Sequence, residues 1–229
     1  MTGRNVGGYG RAVRVAVLGL AALLVWCGAS FAAISEAEVR RAWREVVRIA
    51  EMQDLPLSIK QDSVPNAWVT AGQSVTVTTG LMELLRRPEE MFGVLSHEAG
   101  HAVLGHYEKR VQNAAGIGIL GYLLGQAIGD SSAGSVAVGV GASLATAGFS
   151  REQEVQADDY AVDLAFKGGK DPTGIYTALE RMALKGGKTQ PSGFNSHPPD
   201  DRRLRHVRER ILRNDPNAVF PKVEEADGE

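Results

Sequence analysis

The chain has 229 residues, 44% of them hydrophobic, and a formal net charge of −2 at pH 7. These values are typical of a globular protein with one substantial core, and they argue against a disordered chain or a repeat array. Because the net charge is near zero and the Lys and Arg residues are scattered, nucleic acid is excluded as an expected partner.

Residues 1–32 are predicted to be a secretory signal peptide. Three arginines precede the apolar run from Val15 to Trp26, and small residues follow it, with a cleavage position after Ala32. The alternative is an uncleaved N-terminal membrane anchor, because Val15 to Ala33 approaches the roughly 20 residues that span a bilayer.

Cys27 is the only cysteine of the chain. Lipid attachment at Cys27 is disfavoured because the bulky Trp26 precedes it. Cleavage of the signal would leave no cysteine, which excludes disulfides, Cys-ligated zinc and a cysteine nucleophile. The predicted location is the bacterial periplasm, and the alternative is a membrane-anchored form that faces the periplasm.

A helix is predicted from Ser35, which forms a capping box with Glu38. Its apolar residues recur at helical spacing: Val39, Ala42, Trp43, Val46, Val47 and Ala50. Pro56 ends this pattern. The Val- and Thr-rich stretch 58–79 predicts two short strands joined by a turn, and a short helix follows Gly80.

The next helix is predicted from Pro88, a residue favoured at the first helical position, to about Lys109. It contains LSHEAGHAVLGH, residues 95–106, which holds three of the five histidines in the chain. His97 and His101 lie about 40° apart around a helix, so both imidazoles can reach one metal ion.

Glu98 projects to the side of this pair, where it can hold a metal-bound water without being a ligand, as in the HExxH motif of zinc hydrolases. His106 lies about 180° around the same predicted helix from His97, so it is expected to face away from the metal and to have no functional role.

Residues 113–148 are rich in Gly and Ala and form two apolar runs separated by Gly129-Asp130-Ser131-Ser132. Each run is short for a membrane span, and the glycines favour close packing. The segment is therefore predicted to be a packed helical hairpin, with contact to a membrane as the alternative.

Further helices are predicted at 150–166, 173–184 and 199–213. Ser150 and Gln153 form the cap of the first, and the last has an apolar stripe formed by Leu204, Val207 and Ile211. Residues 186–198 form a loop rich in Gly, Pro and Ser.

A catalytic zinc site needs a third protein ligand, and the helix that carries His97 cannot supply one within reach. Glu154 and Asp158 share one face of the helix that begins at Ser150, beside the small residues Ala157 and Ala161. Glu154 can then ligate the metal, and Asp158 can accept the N–H of a ligating imidazole. The alternative is a solvated acidic face.

These residues resemble the M48 family of zinc metallopeptidases, which includes the CAAX prenyl proteases, HtpX and small soluble periplasmic members. The resemblance is carried by His97-Glu98-Ala99-Gly100-His101 and by Ser150-Arg151-x-x-Glu154-x-x-Ala157-Asp158. The stretch 66–85 is similar to the strand pair of the family, and 196–204 to its late His-Pro motif.

The resemblance implies an α+β, mostly helical fold: a zincin of the gluzincin type with a small β-sheet beside the HExxH helix, formed by residues 33–229. It implies that one Zn²⁺ is bound by His97, His101 and Glu154, with Asp158 in support. It further implies that His197 stabilises the oxyanion and that Arg203 forms a structural ion pair.

The function expected from this set is a zinc endopeptidase of the cell envelope, with Glu98 as general base. Unfolded or extended polypeptides are the expected substrates, bound along the strand at Asn66, Ala67 and Trp68. The residues 113–148 would cover the cleft as a lid. The alternative is a non-catalytic or latent, chaperone-like envelope protein with a structural zinc.

Overall fold

The structure, a computed structural model, describes residues 33–70, 74–127, 148–186, 197 and 199–223. The predicted signal peptide lies outside the described residues. Within them the elements follow in the order α1 (Glu36–Ala50), β1 (Leu57–Lys60), β2 (Ala67–Thr70), β3 (Ser74–Thr78), α2 (Thr79–Leu84), α3 (Pro88–Val103), α4 (His106–Ala127), α5 (Arg151–Lys167), α6 (Thr173–Gly186) and α7 (Asp201–Asn214). The predicted α+β, mostly helical fold is confirmed.

Helix α1 begins with the predicted capping box, in which the Ser35 hydroxyl accepts from the N–H of Glu38 and the Glu38 carboxylate accepts from the N–H of Ser35. Its apolar face is buried in the core by Val39, Ala42, Trp43, Val46 and Ile49. The indole N–H of Trp43 donates to the carbonyl of Leu55 at 3.0 Å, so the buried polar atom of this ring is satisfied.

The sheet has three strands in the order β1-β3-β2, whereas the sequence predicted two strands. Strand β1 was missed because it has four residues and pairs in parallel with the distant β3, without a hairpin turn to mark it. Strand β2 pairs antiparallel with β3 and is an edge strand of the described sheet.

Helix α3 lies at the centre of the fold and is buried along the continuous stretch from Glu90 to His101. It ends at Val103, so the prediction of one helix up to about Lys109 is wrong. Gly105 has a φ of 64°, a left-handed conformation that glycine adopts without strain, and the chain turns there before α4 begins at His106.

Two glycines on α3 permit close helix packing. A Cβ on Gly93 would lie 2.5 Å from the backbone nitrogen of Ile175 in α6, and one on Gly100 would lie 3.2 Å from the Cα of Ala157 in α5. The predicted approach of α5 to the histidine helix through small residues is confirmed. This approach determines how close the side chains of α5 come to those of α3.

The first apolar run of the predicted hairpin lies within α4, and the rest of the hairpin falls outside the described residues, from 128 to 147. No helix in the part of the chain that the structure describes is both long and apolar enough to cross a membrane.

The last three helices are close to their predicted bounds. In α7, Val207 and Ile211 are fully buried, as predicted, while Leu204 is only partly buried. The buried residue next to it is Arg203, which is 5% exposed. An arginine therefore takes part of the inward face that the hydrophobic pattern assigned to Leu204.

We expect Gly93→Ala to lower the free energy of unfolding by about 1–3 kcal/mol, because the added methyl overlaps backbone atoms that cannot move independently. Gly116→Ala in α4 is the matched control, since a Cβ there meets nothing within 4 Å. It should leave stability unchanged or raise it by up to about 1 kcal/mol through helix propensity. Urea unfolding of both variants measures the difference, and equal stabilities would contradict the packing argument.

Candidate active site

Four buried side chains that can ligate a metal meet between α3 and α5. His97 and His101 come from α3, Glu154 from α5, and His197 from the segment before α7, and all are at most 3% exposed. Their ligating atoms lie within 4.8 Å of one another. The structure thus brings together the three predicted ligands and adds His197 to them.

The distances among the three predicted ligands fit a shared divalent ion. The Nε2 atoms of His97 and His101 are 3.1 Å apart, and they lie 3.4 and 3.5 Å from the carboxylate oxygens of Glu154. Ligands held tetrahedrally at zinc distances are about 3.3 Å from one another. Two imidazole nitrogens and one carboxylate oxygen also form a donor set typical of zinc.

Asp158 supports His97 from behind. It is fully buried, and its carboxylate lies 2.9 Å from Nδ1 of His97. Arg203 donates to both carboxylate oxygens, at 2.7 and 2.8 Å. Burial raises the pKa of Asp158, but Arg203 and His97 outweigh burial and bring this pKa to about 2. Asp158 is therefore an anion at neutral pH that holds the imidazole in place.

Arg203 also connects the other parts of the site. Its guanidinium lies 2.8 Å from Glu154 and donates to the backbone carbonyl of His197 at 3.0 Å. Together with its bonds to Asp158, these contacts join α5, α7 and the segment at His197. The ion pairs predicted for Arg203 are formed with Glu154 and Asp158.

The charges of the cluster favour a cation. Burial alone lowers the pKa of His97, but Asp158 and Glu154 outweigh it and raise this pKa to about 9. Burial lowers the pKa of His101 to about 2. Burial raises the pKa of Glu154, yet the surrounding histidines hold it well below its usual range. The raised pKa of His97 keeps a positive charge beside the two carboxylates, at a position where a metal ion can replace a proton.

Glu98 lies beside the cluster and is not one of the four candidate ligands. It is 1% exposed, and its carboxylate accepts the backbone N–H of Val69 from β2. Burial raises the pKa of Glu98 above its ordinary value. A raised pKa brings a carboxylate closer to that of an efficient general base near neutral pH.

His197 faces the site with both of its ring nitrogens. Its Nδ1 lies 3.2 Å from Nε2 of His97 and 2.8 Å from a carboxylate oxygen of Glu154, and its Nε2 lies 3.6 Å from the carboxylate of Glu98. The residue predicted to act on the oxyanion therefore lies within the group of candidate ligands itself. Its catalytic role stays a prediction.

The predicted substrate strand runs past Glu98. Asn66 precedes β2, Ala67 is buried and Trp68 is half-buried within it. The N–H of Thr78 donates to the carbonyl of Asn66, and hydrogen-bonded pairs alternate along an antiparallel ladder. The backbone groups of Ala67 and Val69 consequently point away from β3. The residue that contacts Glu98 is Val69, which the sequence prediction did not include.

His106 lies beside the candidate site, whereas the sequence analysis expected it to face away from the metal. It is 1% exposed, and its Nδ1 lies 3.0 Å from Nδ1 of His101. The expectation that it faces away assumed an unbroken helix, whereas the turn at Gly105 redirects the chain toward the site. The glycine before His106 was the available signal for this break.

Phe149 was also missed. Its ring stacks on His101, with centroids 3.9 Å apart and planes 24° apart, and the Arg110 guanidinium lies 4.4 Å from the centroid of the Phe149 ring. A single aromatic residue before a helix cap carries no signal of this contact in the sequence. The stacking restricts the orientation of the His101 imidazole.

Similar proteins include several named metalloproteases. The chain is 35% identical over 158 residues to metalloprotease YcaL and 34% identical over 149 residues to metalloprotease LoiP, both of Escherichia coli; each match covers 64% of this chain and 58% of the relative. It is 28% identical to the mitochondrial metalloendopeptidase OMA1 of Schizosaccharomyces pombe, over 75% of this chain and 51% of the relative. The matches thus span between half and three fifths of the length of these relatives.

The sequence profile of peptidase family M48 matches residues 33–211. This range includes α1, the sheet, all four side chains of the buried cluster and most of α7. Since the match covers well over half of the chain, the protein belongs to peptidase family M48.

Proposed function

We propose that the protein is a zinc-dependent endopeptidase of the bacterial cell envelope that cleaves unfolded or misassembled proteins. The observation that carries this proposal is the placement of the Glu98 carboxylate, 3.6 Å from Nε2 of His197, beside the spaced ligand atoms of His97, His101 and Glu154. The named relatives are metalloproteases, which supports the same reaction class.

Zn²⁺ bound by these residues supplies Lewis-acid activation of water and of a peptide carbonyl. Glu98 accepts the proton of the attacking water on its carboxylate and then passes it to the leaving amine. Burial raises the pKa of Glu98, and a carboxylate with a raised pKa is better suited both to accept the proton from water and to donate it to the amine. His197 donates a hydrogen bond to the oxygen that gains negative charge, which stabilises the transition state by a few kcal/mol.

The substrate binds as an added strand along β2. The outward backbone groups of Ala67 and the outward carbonyl of Val69 are not used in the β3 ladder, while the N–H of Val69 faces Glu98. A peptide paired with this edge is held through its own backbone at the side of the general base. Because pairing of this kind requires an extended chain, unfolded polypeptides are the preferred substrates.

The envelope location rests on the sequence of residues 1–32, read as a signal peptide or as an N-terminal anchor. In either form the catalytic domain works on the outer side of the cytoplasmic membrane. A peripheral association with the membrane fits both forms.

A second candidate function is a latent or non-catalytic, chaperone-like protein that keeps its zinc for stability. The position of His197 favours it, because Nδ1 lies 3.2 and 2.8 Å from atoms of His97 and Glu154. A fourth protein ligand closes a zinc site, and closed sites are typical of structural zinc. Glu98 argues against this function, since holding zinc does not require a buried carboxylate beside the ligands.

We expect Glu98→Gln to reduce casein cleavage by about 10²- to 10⁴-fold, because the amide cannot accept the proton of water. Zinc content should stay at the wild-type level, since Glu98 is not a ligand in the proposal. Peptidase assays and metal analysis on the same preparations test both statements. Equal activity in the two proteins would end the peptidase proposal and favour the chaperone-like alternative.

Glu154→Ala should abolish stoichiometric zinc binding, because two imidazoles alone leave the ion without its third protein ligand. Glu152→Ala is the control, since Glu152 lies exposed in the same helical turn. Metal analysis after dialysis is expected to find about one zinc per chain in the control, in line with a three-ligand catalytic site. Full zinc retention by Glu154→Ala would refute the ligand assignment.

His197→Ala separates the two candidate functions. If His197 stabilises the oxyanion, its loss lowers the cleavage rate by about 10²- to 10³-fold, and this is the result we expect. A rise in casein cleavage would instead identify His197 as the group that closes the site. The zinc content of the variant is measured in parallel, because it shows whether a loss of activity results from loss of the metal.

A further inference from the structure

His106 lies between one candidate metal ligand and a side chain on α5. Its Nδ1 is 3.0 Å from Nδ1 of His101, and its Nε2 is 3.0 Å from Oε1 of Gln156. The imidazole is 1% exposed, whereas Gln156 lies at the surface. A continuous chain of hydrogen bonds thus runs from the surface of α5 to the candidate metal ligand His101.

The acceptor at the outer end fixes the direction of this chain. Gln156 presents a carbonyl oxygen, which only accepts, so the proton of a neutral His106 lies on Nε2. The lone pair on Nδ1 of His106 then accepts the N–H from Nδ1 of His101. Because a neutral imidazole has one N–H, Nε2 of His101 is left with a lone pair directed at the cluster.

The opposite direction is incompatible with metal binding. If His106 donated from Nδ1, the proton of His101 would lie on Nε2, 3.1 Å from Nε2 of His97 and inside the cluster. The bare Nε2 of His106 would also face the carbonyl oxygen of Gln156, which places two acceptors against each other. Both hydrogen bonds of the His106 ring are formed in the first direction only.

The two ligating imidazoles therefore differ in their support. His97 lies against the anionic Asp158, which Arg203 holds with two hydrogen bonds. His101 is supported by a neutral imidazole and a neutral amide. This neutral chain sets the tautomer of His101 without adding charge to a site that already has the carboxylate of Glu154 among its candidate ligands and that of Asp158 behind His97.

We propose that His106, with Gln156, is a positioning residue for the metal site: it holds His101 in the tautomer whose Nε2 binds the ion. This inference rests on the metal site of the proposed function. It does not depend on whether the bound metal cleaves peptides.

Zn²⁺ affinity of the purified protein, measured by competition with a chelator, tests this role with two variants. His106→Leu removes the acceptor, and the affinity should fall about 10- to 100-fold, the usual effect of losing a partner of a ligating histidine. His106→Asn places an amide oxygen close to the position of Nδ1, so most of the wild-type affinity should return. Wild-type affinity in His106→Leu, or equal losses in both variants, would overturn the proposal.

Nitrogen NMR of the imidazoles in the Zn²⁺-loaded wild-type protein gives a second readout that needs no variant at position 106. The proton of His106 is expected on Nε2, and a proton on Nδ1 would overturn the proposal even if His106→Leu fails to fold. Gln156→Glu, which can only accept, should preserve both the tautomer and the affinity; loss of either would count against the chain of hydrogen bonds.

Zinc binding and peptide cleavage by the protein can be measured separately. Zinc binding with the expected tautomer but without casein cleavage would refute the peptidase activity and leave the role of His106 supported. Absence of zinc binding in the wild-type protein would refute the metal site and the role of His106 together.

Discussion

The site depends on the close contact between α3 and α5. Gly100 has no side chain, and the backbone of α5 at Ala157 lies where a Cβ would almost touch it. This contact places Glu154 within 3.5 Å of two imidazole nitrogens from α3, away from water. Burying three such groups is costly unless they share a cation and each is held by a partner. These partners are Asp158, Arg203 and the neighbours of His101. Most of the buried polar side chains among the described residues therefore lie at or next to the candidate metal site.

The sequence predicted the elements whose signals are local. The capping boxes at Ser35 and Ser150, the helical spacing of His97 and His101, and the small residues of α5 all concern neighbouring positions, and all were confirmed as structural features. The pair of carboxylates on α5 was predictable because two residues four apart share a face.

The features that were missed depend on contacts between distant parts of the chain. Strand β1 is too short to be recognised without its partner β3, and Phe149 reaches His101 only through the tertiary fold. His106 was misplaced by a single wrong assumption, that the helix continues through Gly105. The left-handed conformation of Gly105 ends the helix and turns His106 toward the candidate metal ligands, where it contacts His101.

The turn at Gly105 has a thermodynamic consequence. It makes His106, the first residue of α4, a contact of His101. Ordering of the start of α4 and binding of an ion at the site are therefore expected to be coupled. Coupling of this kind is reciprocal: whatever the ion gains from an ordered helix start, the helix start gains from the ion. An ion bound at the site would therefore favour the ordered start of α4, and a ligand that orders this start would raise the affinity for the ion by the same factor.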